Sequence, residues 1–408
     1  MLSGCFVVWL RNKISINKNK QIYFSLFFYI DILLRKRTRN RQPTTRNRQP
    51  TTHNQTMNKI INLIRTWKLP VSMVMGVLLY YVFDAAIPDD DVRNAFYYVV
   101  SHYFQPALIF SMLMLSFLKV EPRNLKPHRW HGILIFTQGA FFVLFSLLAM
   151  GIGLLTALPL SSISNGRILC EGAMLCFICP TATASAVIVQ KLGGSLSGDV
   201  TYLVLCNLMV SLLAPGFLTL VEPHVGLDFY TEFFMIMGKV FPLLLCPLFV
   251  ALVIRHYFPL LKDKLLAIPD LAFYLWLVAL ALAITVTVRT IVECKTPVSL
   301  LLALALVSAI CCVTQFWLGR KIGRRWPQTA AKSAEASTSQ SPSALYIDEQ
   351  ERSAITAGQA FGQKNTVFII WMGLVFLNPI TSVVGGFYSI WHNIINSWQL
   401  YKKEKTRT

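Results

Sequence analysis

From residue 57 onward the chain alternates long apolar runs with short polar links, and ten runs are long enough to cross about 30 Å of hydrocarbon as helix. They fall near residues 69–88, 95–118, 133–156, 168–190, 196–221, 230–254, 268–288, 297–318, 353–378 and 380–398. The pattern predicts an all-α integral membrane protein whose ten transmembrane helices form one domain over residues 57–400. The links orient these helices, because cytoplasmic loops retain Lys and Arg. With the segment before the first run placed inside, 21 Lys/Arg fall in inside links or the tail, and only Arg93, Arg167, Arg289 and Lys295 fall outside. One helix more or fewer would invert every later link, so the split supports ten crossings with both termini cytoplasmic.

Three segments stand apart from the spans. Residues 1–56 are a basic N-terminal extension carrying a direct repeat, RNRQPTT at 39–45 and again at 46–52, and their apolar stretches at 5–10 and 22–34 are short for a span. Met57 precedes the first good helix, so residues 1–56 read as an over-extended start of translation; the alternative is a basic arm for anionic headgroups. Residues 319–352, rich in Ser, Ala and Gln, read as a flexible cytoplasmic loop, and 401–408 as a basic tail.

Composition agrees with this picture: 54% of residues are apolar and 14% charged, against about 25% charged in water-soluble domains. The net charge of +19 suggests a nucleic-acid binder only until it is located, since 11 of the 38 Lys/Arg sit in residues 1–56 and most others in inside links. No nucleic-acid partner is expected; the lipid bilayer is, with a plasma or bacterial inner membrane as the location. The nine cysteines include Cys176-x-x-Cys179, which lies in an apolar helix with no second pair and no nearby His, so no metal or redox cofactor is expected. Integral-membrane enzyme chemistry also lacks support, as the spans hold no carboxylate pair, His cluster or nucleophile elbow.

Function in a helical bundle resides where the apolar helix is interrupted. One interruption is Cys179-Pro180-Thr181-Ala182-Thr183-Ala184-Ser185-Ala186 in the fourth span, where Pro180 removes a backbone donor and frees a carbonyl one turn earlier. The other is Ala360-Phe361-Gly362-Gln363-Lys364-Asn365 in the ninth, where three polar residues follow a Gly in mid-run. Small-residue helix packing would account for the first alone, but Gln, Lys and Asn at membrane depth are costly unless they line a cavity. Divided five and five, the spans place these interruptions in the fourth helix of each half, and an odd number of helices gives the halves opposite membrane senses. The expected fold is therefore two inverted five-helix repeats with broken, crossing helices 4 and 9, the arrangement that marks a transporter binding site. Half-helix N-termini at the crossing would favour an anion.

Short stretches in this order resemble the bile acid:sodium symporter family over about residues 65–400. They are Gln105-Pro106-Ala107-Leu108-Ile109-Phe110 to Met114, Gln138, Pro180 to Ser185, Leu196-Ser197 with Val200-Thr201, Gly362 with Asn365, and Ser389-Ile390-Trp391-His392-Asn393. The resemblance implies a core of helices 3–5 and 8–10 moving against a panel of helices 1, 2, 6 and 7. It also implies sodium-site hydroxyls at Ser185, Ser197 and Thr201, an amide at Gln138, and substrate contacts near the crossing at Thr183, Asn365 and Asn393; Thr181, Gly362 and Gln363 complete the candidate crossing region.

Departures from the family pattern are Ala186 for an Asn, Ala360 for a Glu and Lys364 for a Gln. A Lys ammonium about 4 Å from a sodium ion costs about 4 kcal/mol at an effective dielectric near 20, roughly a thousandfold in affinity. The expectation is a secondary transporter of organic anions, bile-acid-like or small carboxylates, in which Lys364 takes the place of the coupling cation and sodium is not strictly required. Alternatives are a symporter that retains one sodium site, a related cation/proton antiporter, and a non-transporting receptor; substrate identity, the coupling ion (sodium, proton or none), the direction of transport and oligomeric state stay open. Asp199 reads equally as a helix cap or a replacement carboxylate, Lys239 as snorkelling or paired, His392 as a core hydrogen-bonder or proton relay, and Glu171 as interfacial or lining the entrance. Pro242 and Pro247 read as structural kinks in the sixth span.

Overall fold

A computed structural model of the chain describes residues 68–156, 164–223, 226–268, 271–327 and 342–405. The extension 1–56, the centre of the Ser-rich segment and the last three residues of the tail lie outside the described residues. The described chain is almost wholly helical and contains no strand. Its helices are α1 (Lys68–Ala86), α2 (Asp90–Lys119), α3 (Arg129–Thr156), α4 (Ser164–Ile178), α5 (Ser185–Leu192), α6 (Leu196–Val221) and α7 (Phe229–Tyr257). They continue as α8 (Pro259–Ala267), α9 (Leu271–Glu293), α10 (Val298–Arg325), α11 (Pro342–Gly362), α12 (Thr366–Phe376) and α13 (Val383–Lys405).

Six of these, α2, α3, α6, α7, α9 and α10, are long and apolar enough to cross a membrane. The expected spans at 168–190 and 353–378 are each two shorter helices, α4 with α5 and α11 with α12, interrupted at the two polar stretches. Where spans run on, local chemistry shapes them. Pro106 in α2 has no N–H to offer and is preceded by a π-helical turn, Val100–Phe104, in which Gln105 N donates to Val100 O. Asp228 caps α7 through Thr231 N (3.0 Å) and Thr231 Oγ1 (2.5 Å), and these hydrogen bonds hold its carboxyl below the usual carboxylate range.

Helices α1, α2, α7 and α9 pack on one another, with α1 against α9 and α2 against both α7 and α9. A second set consists of α3, α4, α6, α10, α11 and α13, with the short α5 held against α6, α11 and α13. The tightest seam is α10 on α11. Gly319 and Gly323 lie one turn apart on α10, and a Cβ at Gly319 would meet Ala357 O at 2.5 Å, so only glycine lets the two backbones approach this closely.

This seam corrects the reading of residues 319–352 as a loop: 319–325 continue α10, and 342–352 open α11. The hydropathy of the segment falls because its charges face one another, with Glu351 bridging Arg320 and Arg324, each at 2.6 Å. Gly323→Leu is expected to destabilise the protein by about 1–3 kcal/mol through overpacking. Gly132→Leu, where a Cβ meets nothing within 4 Å, should be tolerated. Thermal unfolding of both variants in detergent checks the contrast.

Candidate functional site

The interruptions in the two broken helices meet. Thr181 and Lys364 form an isolated antiparallel β-bridge. Ala182 N donates to Gln363 O and Asn365 N donates to Pro180 O, both at 2.9 Å. Further bonds tie the crossing: Thr181 Oγ1 donates to Ala360 O (2.6 Å) and Cys179 Sγ to Asn365 O (3.0 Å). The carbonyls freed at the end of α4 are met from neighbouring helices, Cys179 O by Gln138 Nε2 on α3 (3.2 Å) and Cys176 O by Gln315 Nε2 on α10 (3.2 Å). Tyr202 completes the first of these amides by donating to Gln138 Oε1 at 2.6 Å.

Within the crossing several predicted residues have definite partners. Asn365 caps α12, its Oδ1 accepting from Phe368 N at 3.3 Å. Gln363 donates through Nε2 to Gln359 Oε1, and Gln359 in turn donates to Gln399 Oε1 at 2.7 Å. Gly362 O accepts from Tyr388 OH at 2.8 Å, and the Phe316 ring fills the space a side chain at Gly362 would need. Asn393 sits apart from this network on α13, donating to Ser389 O of its own helix at 2.7 Å.

Lys364 is completely buried, and its Nζ has no hydrogen-bond partner among the described residues. The Phe361 ring lies 5.0 Å away, and the ionisable groups around it are the thiols of Cys176, Cys179, Cys206 and Cys312 rather than any carboxylate. Gln138 shares two of these neighbours, since its Nε2 also lies 3.3 Å from Cys206 Sγ. The expected ion-coupling residues therefore divide into two groups. Ser185 is not beside Lys364 in this hydrogen-bond network; it donates to Asp199 Oδ2 (2.6 Å), and Asp199 Oδ1 is buried without a partner among the described residues. Ser197 and Thr201 flank Asp199 but turn inward on their own helix, Ser197 Oγ toward Ser195 Oγ (3.2 Å) and Thr201 Oγ1 donating to Ser197 O (2.7 Å). Ser195 is the residue that caps α6, so Asp199 is a buried carboxylate rather than the cap.

A cavity of about 230 Å³ opens between α2 and α9 on one side and α5 and α6 on the other. Thr183 is the predicted crossing residue that lines it, beside Ala184 and Ala186. The cavity's other walls include Lys119, Gln190 and Leu196, all near helix ends assigned to the inside by link charge.

Other singled-out residues are structural in their contacts. Glu171 is buried, accepts from Thr381 Oγ1 (2.9 Å) and pairs with Arg167 (2.9 Å), which also pairs with Glu222. Lys239 lies over the Phe376 ring at 5.6 Å, and His392 Nδ1 is buried with no partner among the described residues. No set of three or more His, Cys, Asp or Glu placed to hold a metal occurs among the described residues. The Gln359–Gln363–Gln399 ladder and the thiols near Lys364 are features that residue-by-residue reading did not find; only the polar positions at 359, 363 and 399 hinted at the former.

No protein-family model matches the chain, and no curated protein matches it. The chemistry of the site therefore rests on its own geometry. Lys364→Met is expected to raise stability by about 1–4 kcal/mol, because it replaces an unpaired buried cation with an apolar side chain of similar length. Gln138→Ala is expected to lower stability by about 1–3 kcal/mol, because it strands Cys179 O and Tyr202 OH. Thermal unfolding in lipid nanodiscs reads both signs.

Proposed function

We propose that the chain is a secondary transporter of organic anions working by alternating access, with no strict requirement for sodium. On this reading α1–α6 and α7–α13 are two inverted repeats of five spans each, and α4/α5 and α11/α12 are their broken fourth helices. The observation that carries it is the antiparallel peptide pairing at Thr181 and Lys364 together with a cavity that reaches Thr183 from one side. A membrane bundle that only holds its shape has no need of irregular backbone at depth, whereas a transporter uses it to build a site that can be approached from either face.

The packing supports a division of labour. The set α1, α2, α7 and α9 would act as the panel, and the set carrying the crossing as the moving core. The cavity lies at the boundary between them, as an inward-open state requires. Rocking of the core would close this cavity and open another on the opposite side. When protonated, Lys364 would supply positive charge within the core, so binding an anion would not require a co-bound cation. No reaction chemistry is assigned to the protein; its partners are the anion and the bilayer, and the location is a plasma or bacterial inner membrane with both termini cytoplasmic.

A second reading, a symporter with one surviving cation site, is favoured by one feature: the buried Asp199 carboxylate has a free oxygen beside Ser185. Uptake of taurocholate and of pyruvate into proteoliposomes, with sodium replaced by potassium, separates the two. The proposal expects uptake to persist in potassium; a steep sodium requirement contradicts the Lys364 assignment and favours the Asp199 site. Ala360→Glu combined with Lys364→Gln should raise the ratio of uptake in sodium to uptake in potassium. Absence of uptake of either anion contradicts the transport reading.

A further inference from the structure

The mouth of the cavity has a chemistry of its own, separate from the crossing. Lys119, at the C-terminal end of α2, lines it and has no ion-pair partner among the described residues. Ser116 lies one turn deeper on the same helix, and Gln190 faces the cavity from α5. The side chains of both are without hydrogen-bond partners among the described residues, and no Asp or Glu lines the cavity. Phe273 and Trp276 of α9, their rings tilted by 49° to one another, supply an apolar wall beside α2 and across from Gln190. A concave, mostly apolar space with a few convergent polar groups is the usual form of a small-molecule site.

Charge and size then restrict the occupant. One cation with no balancing acid selects an anion, and unspent donors on Ser116 and Gln190 suit oxygens of a carboxylate or sulfonate. The volume of about 230 Å³ lies below the roughly 300 Å³ at which pockets begin to enclose drug-sized ligands. A four-ring steroid is therefore too large for this state, and a single aromatic or branched aliphatic body fits. We propose that this mouth is a binding station for small organic anions with a compact apolar body, the anionic group on Lys119 and the body against Phe273 and Trp276. The proposal rests on the transport reading for its purpose, as the place where substrate meets or leaves the inside solution, but its chemistry is testable without flux.

Isothermal titration of the full chain in nanodiscs with phenylacetate, phenethylamine and taurocholate provides the test. Phenylacetate should bind and phenethylamine, the same body with the opposite charge, should not; taurocholate should bind more weakly than phenylacetate. Lys119→Gln should weaken phenylacetate binding by about tenfold, the loss of one charge-assisted contact, and Lys119→Arg should restore most of it. Lys119 is exposed, so neither change threatens folding. Ala186→Phe, which fills the cavity, should abolish binding. Equal binding of the amine, no binding of phenylacetate, or an unchanged affinity in Lys119→Gln would overturn the proposal while leaving the transport reading intact. Binding through Lys119 without uptake of phenylacetate or any other anion would support this station and defeat the transport reading alone.

Discussion

Two peptide hydrogen bonds, Ala182 N to Gln363 O and Asn365 N to Pro180 O, make the rest of the architecture possible. A helix broken at membrane depth leaves donors and acceptors with no water to meet them, at a cost of several kcal/mol for each unsatisfied group. Here each break supplies what the other lacks, and Gln138 and Gln315 meet carbonyls of α4 that remain. The four half-helices α4, α5, α11 and α12 can therefore end at one point inside the bundle. Removing one break would strand the other, which is why the two must be read as a single device.

That device determines what surrounds it. The crossing is packed from α10, and Gly362 permits this by leaving room for the Phe316 ring. It also needs rigid support, supplied by the α10–α11 seam at Gly319 and Gly323. The two sets are not fully separate, since α6 packs closely on α7 and α9 touches α12 and α13, but α2 and α9 stand off from α5 and the start of α6 and leave the cavity there. The proposed transport cycle uses that space, with the buried Lys364 at the crossing beside it.

Much of this was legible in the sequence. The polar interruptions at 179–186 and 360–365 stood out because Pro180 and Gly362-Gln363-Lys364-Asn365 violate the apolar helix rule, and the expectation that they cross matches the peptide pairing of Thr181 with Lys364. Helix limits were harder to read. Residues 319–325 and 342–352 looked like loop because their charges lower hydropathy, yet Glu351 neutralises Arg320 and Arg324 across a helical seam. Individual roles were hardest, because partner choice depends on tertiary geometry. Asn365 spends its side chain on a helix cap, Asn393 on its own helix, and Ser185 pairs with Asp199, a residue whose sequence context allowed two uses. The thiols near Lys364 come from α4, the break after it, α6 and α10, so no local motif could announce them together.

The account stands or falls on whether the crossing can be reached from both faces of the membrane. Thr183→Cys, in a background without Cys5 and the exposed Cys294, allows this to be measured with a membrane-impermeant thiol reagent applied separately to each side of oriented vesicles. Alternating access predicts labelling from the side bearing Lys119 in the state described here, and labelling from the opposite side in a second population that an anion gradient shifts. Labelling confined to one side under every gradient would contradict it.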